Sequence, residues 1–247
     1  MTDWLQAKIT ERIQWADDLF SLRFAAPVTP FKAGQFVLIA LDINGERVKR
    51  PYSLVNAPDE KYLEIYFNIV AEGPLSPQLA TLRVGDSLWV SASASGLLVL
   101  DEIPPAKNLW LIATGTGIGP FLSLLKTADV WPRFEKIVLG HSVQRAQQLV
   151  YNELINSLLA KHQTQLHYVR WVTREVVAET LPQRIPLTIA SGELEKKCGV
   201  SLSADDSHIM LCGNQHMITD VSAELGKRGM RRHRRREPGH ISTEKYH

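Results

Sequence analysis

Cysteine is scarce in this chain of 247 residues, which holds two, Cys198 and Cys212. Two thiols so placed build neither a disulfide framework nor a metal-ligand set, and a reducing cytoplasm is the expected compartment. The eight histidines are scattered without metal spacing, so no metal site is expected. A long, purely apolar run is missing too. The stretch between Lys107 and Lys126 carries no charge, but three glycines and a proline inside it argue against a membrane span. It reads instead as a buried strand and a helix. Met1-Thr2-Asp3-Trp4 includes an acid and leads into no apolar core, so no secretory signal is expected. Internal repeats and low-complexity segments are lacking as well.

What is present is an ordinary globular composition, 45% hydrophobic and 22% charged, in a length that suits two domains with a core each. Net charge is +2 but unevenly spread. Seven basic residues, Lys227, Arg228, Arg231, Arg232, Arg234, Arg235 and Arg236, form a run without an acid, leaving 21 basic against 26 acidic residues elsewhere.

Residues 5–100 read as β with frequent turns. Short β-prone runs cover 5–14, 19–25, 35–41, 48–54, 62–70 and 87–92, and Asn44-Gly45 signals a two-residue hairpin. One helix interrupts them, with Ser76 as the expected N-cap and Pro77 in the first helical position. Six short strands at this spacing predict a small antiparallel barrel, whose closure removes its edges.

Ile103-Pro104-Pro105 is the Pro-rich break, and the domain boundary is expected there: 1–102, then 103–247. Beyond it strands at 109–113, 137–139, 166–172 and 208–211 alternate with helices expected from Pro120, at 147–159 and at 216–227. Residues 187–192 read as helix or loop. This rhythm predicts a doubly wound parallel sheet with ligands at the carboxyl ends of its strands.

The centre of that second region is Leu109-Trp-Leu-Ile-Ala-Thr-Gly-Thr-Gly-Ile-Gly-Pro120: strand, glycine turn, and helix with a proline at its start. Glycines allow a pyrophosphate to approach the backbone, and the N–H groups at a helix start favour its charge. In the first region Arg50-Pro51-Tyr52-Ser53 ends a strand. Arginine offers a fork of donors for phosphate, tyrosine a flat face for a ring, and serine a hydroxyl for a polar ring edge. The alternative is an ordinary strand end with a surface arginine. The helix start reached through Gly73-Pro74-Leu75 is a second expected anion site.

Together R-P-Y-S at 50–53, G-P-L-S at 73–76, G-T-G-I-G-P at 115–120, C-G-N at 212–214 and an aromatic near the C-terminus resemble the ferredoxin–NADP⁺ reductase family, nearest to its bacterial ferredoxin- and flavodoxin-reducing branch. The resemblance implies an FAD-binding antiparallel barrel followed by an NADP-binding α/β domain. It implies that Arg50 meets the FAD phosphates, that Pro51 and Tyr52 lie along the isoalloxazine, and that Ser53 faces the reactive nitrogen. Tyr66 and Asn68 would flank the flavin, Gly73, Pro74, Leu75 and Ser76 would hold its pyrophosphate, and Thr116 would lie where flavin and nicotinamide meet. Tyr246 would lie over the ring system, and His247 would stack on the adenine. On the NADP side it implies Gly115, Gly117, Val143, Gln144, Arg145, Thr173, Arg174, Arg184, Asn214, Gln215 and His216. Ser53, Tyr52 and Cys212 are the candidate catalytic residues; Cys212 is equally readable as a small buried hydrophobe.

The preference for NADP over NAD can also be read from the residues. A site for NAD places an acid after the second strand to bind the ribose hydroxyls. Here that strand ends in His141-Ser-Val-Gln-Arg145, with no acid. Arg174 and Arg184 match the family's pair on the 2′-phosphate, and Arg145 lies one position beyond the place of another.

The activity implied is electron transfer between NADPH and ferredoxin or flavodoxin through FAD. The basic run 227–236 is a candidate docking patch for an acidic carrier. One alternative is a reductase module serving another acceptor, such as an oxygenase. A more distant one is a nucleic-acid-binding protein using the basic run, though no nucleic-acid partner is expected.

Overall fold

Burial alternates along part of the first strand. In β1 (Trp4–Ala16) Ala7 and Ile9 enter the core while Lys8 and Thr10 face outward. The computed structural model describes residues 2–246. The chain divides into two compact units, one running to Val99 and including Gly119–Thr127, the other formed by Leu100–Ile118 and the residues from Ala128 onward.

The first unit adds β2 (Leu19–Ala25), β3 (Phe36–Ile43), β4 (Glu46–Ser53), β5 (Leu63–Asn68) and β6 (Ser87–Ser91). Every neighbouring pair is antiparallel, in the order β4-β3-β6-β1-β2-β5. A bridge between Leu54 and Ile65 joins the two ends, with the Val55 N–H on the Glu64 carbonyl at 2.9 Å, so the expected barrel closes. Asn44 and Gly45 sit at φ 52° and 82° and set Ile43 opposite Glu46, as the Asn-Gly signal predicts. The barrel interior holds Leu22, Phe24, Ile39, Leu54, Ile65, Leu88 and Val90.

Leu75 and Leu79 bury against that core from α1 (Ser76–Thr81). The expected N-cap is corrected here. Leu75 holds the cap position and Ser76 is already helical. The Ser76 hydroxyl instead accepts the Val70 N–H at 2.9 Å, tying the helix to the preceding loop. The helix α2 (Ile118–Lys126) gives most of its length to this unit. Ser123 donates to the Asn56 carbonyl at 2.6 Å, and Lys126 pairs with Glu60 at 3.0 Å.

The second unit is a five-stranded sheet of β7 (Asn108–Thr114), β8 (Lys136–Val143), β9 (Leu166–Val172), β10 (Ser207–Gly213) and β11 (Ile241–Lys245). All neighbours are parallel, in the order β11-β10-β7-β8-β9, so the chain winds outward from β7 in both directions. Trp110 and Trp171 anchor its core, and Gly140 makes room for the second: a Cβ there would stand 2.9 Å from the Trp171 ring. To this unit belong the helices α3 (Asn152–Lys161), α4 (Ile185–Ala190), α5 (Glu193–Cys198) and α6 (Gln215–Gly226).

Two expectations change. The helix expected over 147–159 is a short 3₁₀ turn at Ala146–Gln148 followed by α3, with Tyr151 between them at φ 61°. Leu149, Val150 and Tyr151 are all buried, and the chain leaves helical geometry to bury them. The segment at 187–192 forms most of α4, and Gly192 at φ 74° turns the chain into α5.

Candidate functional site

Parallel pairing brings the carboxyl ends of β7 to β11 to one edge of the second unit. The strand order reverses between β7 and β10, the point at which open α/β sheets take their ligands. Thr114, Gly115, Thr116 and Gly117 lie at its β7 side; Cys212, Gly213 and Asn214 lie at its β10 side.

This corner is bonded across. The Thr114 hydroxyl accepts the backbone N–H of Asn214 at 3.2 Å and its side-chain amide at 3.3 Å. The Asn214 side-chain oxygen in turn caps α6 by accepting the Met217 N–H at 2.8 Å, placing Gln215 and His216, both exposed, in the first turn. Tyr246 follows β11: its N–H meets the Gly213 carbonyl at 3.2 Å, and its hydroxyl donates to the Thr114 carbonyl. His247 lies outside the described residues.

The glycines differ in what surrounds them. Gly115 has φ 52° and nothing within 4 Å of where a Cβ would point, so its backbone lies open to a ligand. A Cβ at Gly117 would stand 2.7 Å from the Cys212 carbonyl carbon and 2.5 Å from the Tyr246 hydroxyl. From β8, His141 reaches the turn with Nε2 at 2.9 Å from the Gly115 carbonyl. Burial pushes its pKa down to about 4, so the ring is neutral and Nε2–H is the donor. Cys212 is fully buried, and burial raises its thiol well above the ordinary range. It is therefore held protonated.

The second corner is formed by the ends of β8 and β9. Val143, Gln144 and Arg145 continue from β8, and Thr173 and Arg174 from β9. The Thr173 N–H donates to the Val143 carbonyl at 3.1 Å, and the Arg174 N–H to that of Gln144 at 2.9 Å. Leu181 returns beside β9 in a parallel bridge to Trp171, and Arg174 and Arg184 each lie three residues beyond that pair. Both arginine side chains are exposed and make no hydrogen bond or ion pair among the described residues. An acid is also here: a Glu175 carboxylate oxygen accepts the Ala146 N–H. An open glycine backbone and unneutralised guanidinium groups at such an edge suit a polyanionic ligand.

In the first unit, Arg50, Pro51, Tyr52 and Ser53 are the last residues of β4, opposite Ile39, Leu38, Val37 and Phe36. Arg50 is exposed. Tyr52 meets the Phe67 ring edge-on, with centroids 5.9 Å apart, and burial pushes its hydroxyl up to about 12. That contact brings the end of β4 to β5, where Tyr66 is buried and Asn68 exposed. Gly73, Pro74 and Leu75 lead into α1, whose start no side chain caps. A planar ring system and a phosphate fit this set: an aromatic at a strand end, an exposed guanidinium and an uncapped helix start.

The basic run separates into two classes. Arg228 is held by Glu195 at 2.6 Å and by the Leu202 and Ile189 carbonyls, and Lys227 pairs with Glu224 at 2.6 Å. Arg231 donates twice to the Pro238 carbonyl, and Arg235 grips both oxygens of Glu102 at 2.8 and 2.6 Å. Arg234 stands 3.8 Å from Glu237. Arg232 and Arg236 are exposed without such partners among the described residues.

Sequence reasoning assigned no role to Thr114, His141, Glu175 or the strand β11. An apolar run marked β7, but the contacts of the other three depend on partners distant in sequence.

Two family models match, an oxidoreductase FAD-binding domain over residues 6–97 and an oxidoreductase NAD-binding domain over residues 111–223. The flavodoxin/ferredoxin–NADP reductase of Escherichia coli K12 is 45% identical over 247 residues, covering 100% of both chains. The ferredoxin–NADP reductase of Pseudomonas aeruginosa is 35% identical over 250 residues and 96% of each chain. A crystal structure of a ferredoxin NADP⁺ reductase from Neisseria gonorrhoeae, with FAD and NADP bound, superposes with a TM-score of 0.93 over 99% of both chains, at 29% identity. Barrel, parallel sheet, glycine turn and full-length likeness agree: the chain belongs to the flavodoxin/ferredoxin–NADP reductase family.

Proposed function

We propose that this chain is an FAD-dependent oxidoreductase that moves electrons between NADPH and ferredoxin or flavodoxin. The observation that carries the reading is the edge of the parallel sheet. There an open glycine turn at the first strand and two unneutralised arginines beyond the third stand on a chain that matches such reductases over its whole length. Bound FAD would supply the redox chemistry, exchanging hydride with the nicotinamide and single electrons with the carrier.

The protein's part is to bind, orient and exclude water. In the first unit Arg50 holds the FAD phosphates, Tyr52 stacks on the isoalloxazine, Pro51, Tyr66 and Asn68 flank it, and Ser53 hydrogen-bonds its polar edge. Gly73, Pro74, Leu75 and Ser76 face the pyrophosphate. In the second unit Gly115, Thr116 and Gly117 receive the nicotinamide half of NADPH, with Cys212, Asn214, Gln215 and His216 on the β10 side. Val143, Gln144, Arg145 and Thr173 line the adenosine half, and Arg174 and Arg184 hold the 2′-phosphate. Tyr246 shields the flavin ring. Residues 1–102 serve FAD, and 103–247, apart from the C-terminal tail, serve NADP. Burial keeps the Cys212 thiol and the Tyr52 hydroxyl protonated, so neither serves as an anionic base in this scheme.

Arg232 and Arg236 are the cations best placed to steer an acidic carrier, because Arg228, Arg231 and Arg235 are engaged within the fold. The experiment is anaerobic. NADPH should bleach the flavin bands of the purified yellow protein, and the reduced protein should then reduce added ferredoxin or flavodoxin. A flavin that NADPH leaves oxidised, or that passes electrons to neither carrier, would overturn the reading.

A further inference from the structure

An acid beside a 2′-phosphate site ought to work against NADPH, and Glu175 directly follows Arg174. Its carboxylate, however, accepts the backbone N–H of Ala146. The surrounding hydrogen bonds give that contact a structural meaning. Past the last paired residues of β8 and β9, the Thr173 N–H meets the Val143 carbonyl at 3.1 Å and the Arg174 N–H meets the Gln144 carbonyl at 2.9 Å. The Glu175 side chain makes the next link between the same two segments, with a carboxylate oxygen acting as the acceptor.

The turn after β8 is thereby filled. Successive N–H groups in a tight turn form a nest that attracts anions. Here the N–H groups of Gln144 and Arg145 both go to the Gln148 side-chain oxygen, each at 3.1 Å, and that of Ala146 goes to Glu175. All three donors are taken by the protein itself. A phosphate at this corner must then be held by guanidinium groups, and its affinity depends on where the Arg174 loop is fixed.

We infer that Glu175 is a positioning residue for the 2′-phosphate: it pins the loop carrying Arg174 to the turn after β8 and so favours NADPH. The inference rests on the proposed assignment of the 2′-phosphate to Arg174 and Arg184. It is opposite in sign to the electrostatic expectation, in which removing an acid improves phosphate binding.

Calorimetric binding of adenosine 2′,5′-bisphosphate and of adenosine 5′-monophosphate to the FAD-loaded protein separates the two. Glu175→Ala should weaken the bisphosphate about fivefold or more and leave the monophosphate within twofold. Glu175→Gln, which keeps an oxygen acceptor, should lie between Glu175→Ala and the parent. The ratio of KM for NADPH to KM for NADH should rise in the same order. Bisphosphate binding that tightens in both variants, or that changes in neither, overturns the inference. Arg174→Ala, measured in parallel, tests the underlying assignment on its own: bisphosphate affinity unchanged there removes the 2′-phosphate from Arg174, whatever Glu175 does.

Discussion

The two corners of the sheet's carboxyl edge are built on different principles. At the β7/β10 corner Thr114, His141, Asn214 and Tyr246 hold the glycine turn through neutral hydrogen bonds, and Gly117 leaves no room for a side chain. At the β8/β9 corner Arg174 and Arg184 stand exposed, and order comes from the backbone beneath them. The first corner fixes shape. The second presents charge. In the proposed function the first therefore serves the half common to NADPH and NADH, and the second discriminates between them.

Breaking the first corner should have the largest effect. Gly117→Val drives a branched side chain into the Cys212 carbonyl, which is backbone and cannot swing aside. Overpacking of this kind costs about 3 kcal/mol, on the order of 100-fold, and both coenzymes should suffer alike in kcat/KM. Breaking the second should be selective. Arg174→Ala or Arg184→Ala removes charge-assisted bonds of about 1.5–3 kcal/mol each, so KM for NADPH should rise roughly 10- to 100-fold while NADH use stays within about twofold.

His141 links the first corner to pH. Its folded pKa is pushed down to about 4 from an ordinary 6.5 by burial. Above the ordinary value the ring is neutral whether the chain is folded or not. As pH falls below it the unfolded chain takes up the proton first, so stability drops through that window and the loss is complete below about 4. The loss from this group is on the order of 3 kcal/mol. Urea unfolding of His141→Gln should show a flatter profile over that range. A residual slope should remain from His208, whose pKa burial pushes down to about 3.

The smallest effect is expected at the basic run. Replacing Arg232 and Arg236 with glutamine should slow carrier reduction a few-fold at low salt and flatten its salt dependence, because steering fields fade as the Debye length shortens. Reduction of a small uncharged dye should be unchanged. Replacing Arg235 should lower thermal stability instead, since its partner is Glu102.

What the sequence made legible follows the range of the interactions. The Asn-Gly hairpin and the glycine turn of β7 are local signals, and each stands where the pattern put it. Long-range contacts were not legible. His141 and Gly115 are 26 residues apart, Glu175 and Ala146 are 29, and no local pattern pairs them. β11 went unread because Ile241 is its one fully buried residue, which leaves no apolar pattern. Tyr151 escaped for another reason. Tyrosine rarely adopts positive φ, and here Tyr151 does so beside the buried Leu149 and Val150. Ser76 had the right chemistry for a cap but is bonded to Val70 instead.

The division of labour between the corners is tested most directly by one ratio, kcat/KM for NADPH over kcat/KM for NADH, measured for the parent, Gly117→Val and Arg174→Ala. Gly117→Val should lower both terms and keep the ratio within about threefold of the parent. Arg174→Ala should cut the ratio roughly tenfold or more through its NADPH term. A ratio that collapses in Gly117→Val, or one that survives in Arg174→Ala, would contradict the account.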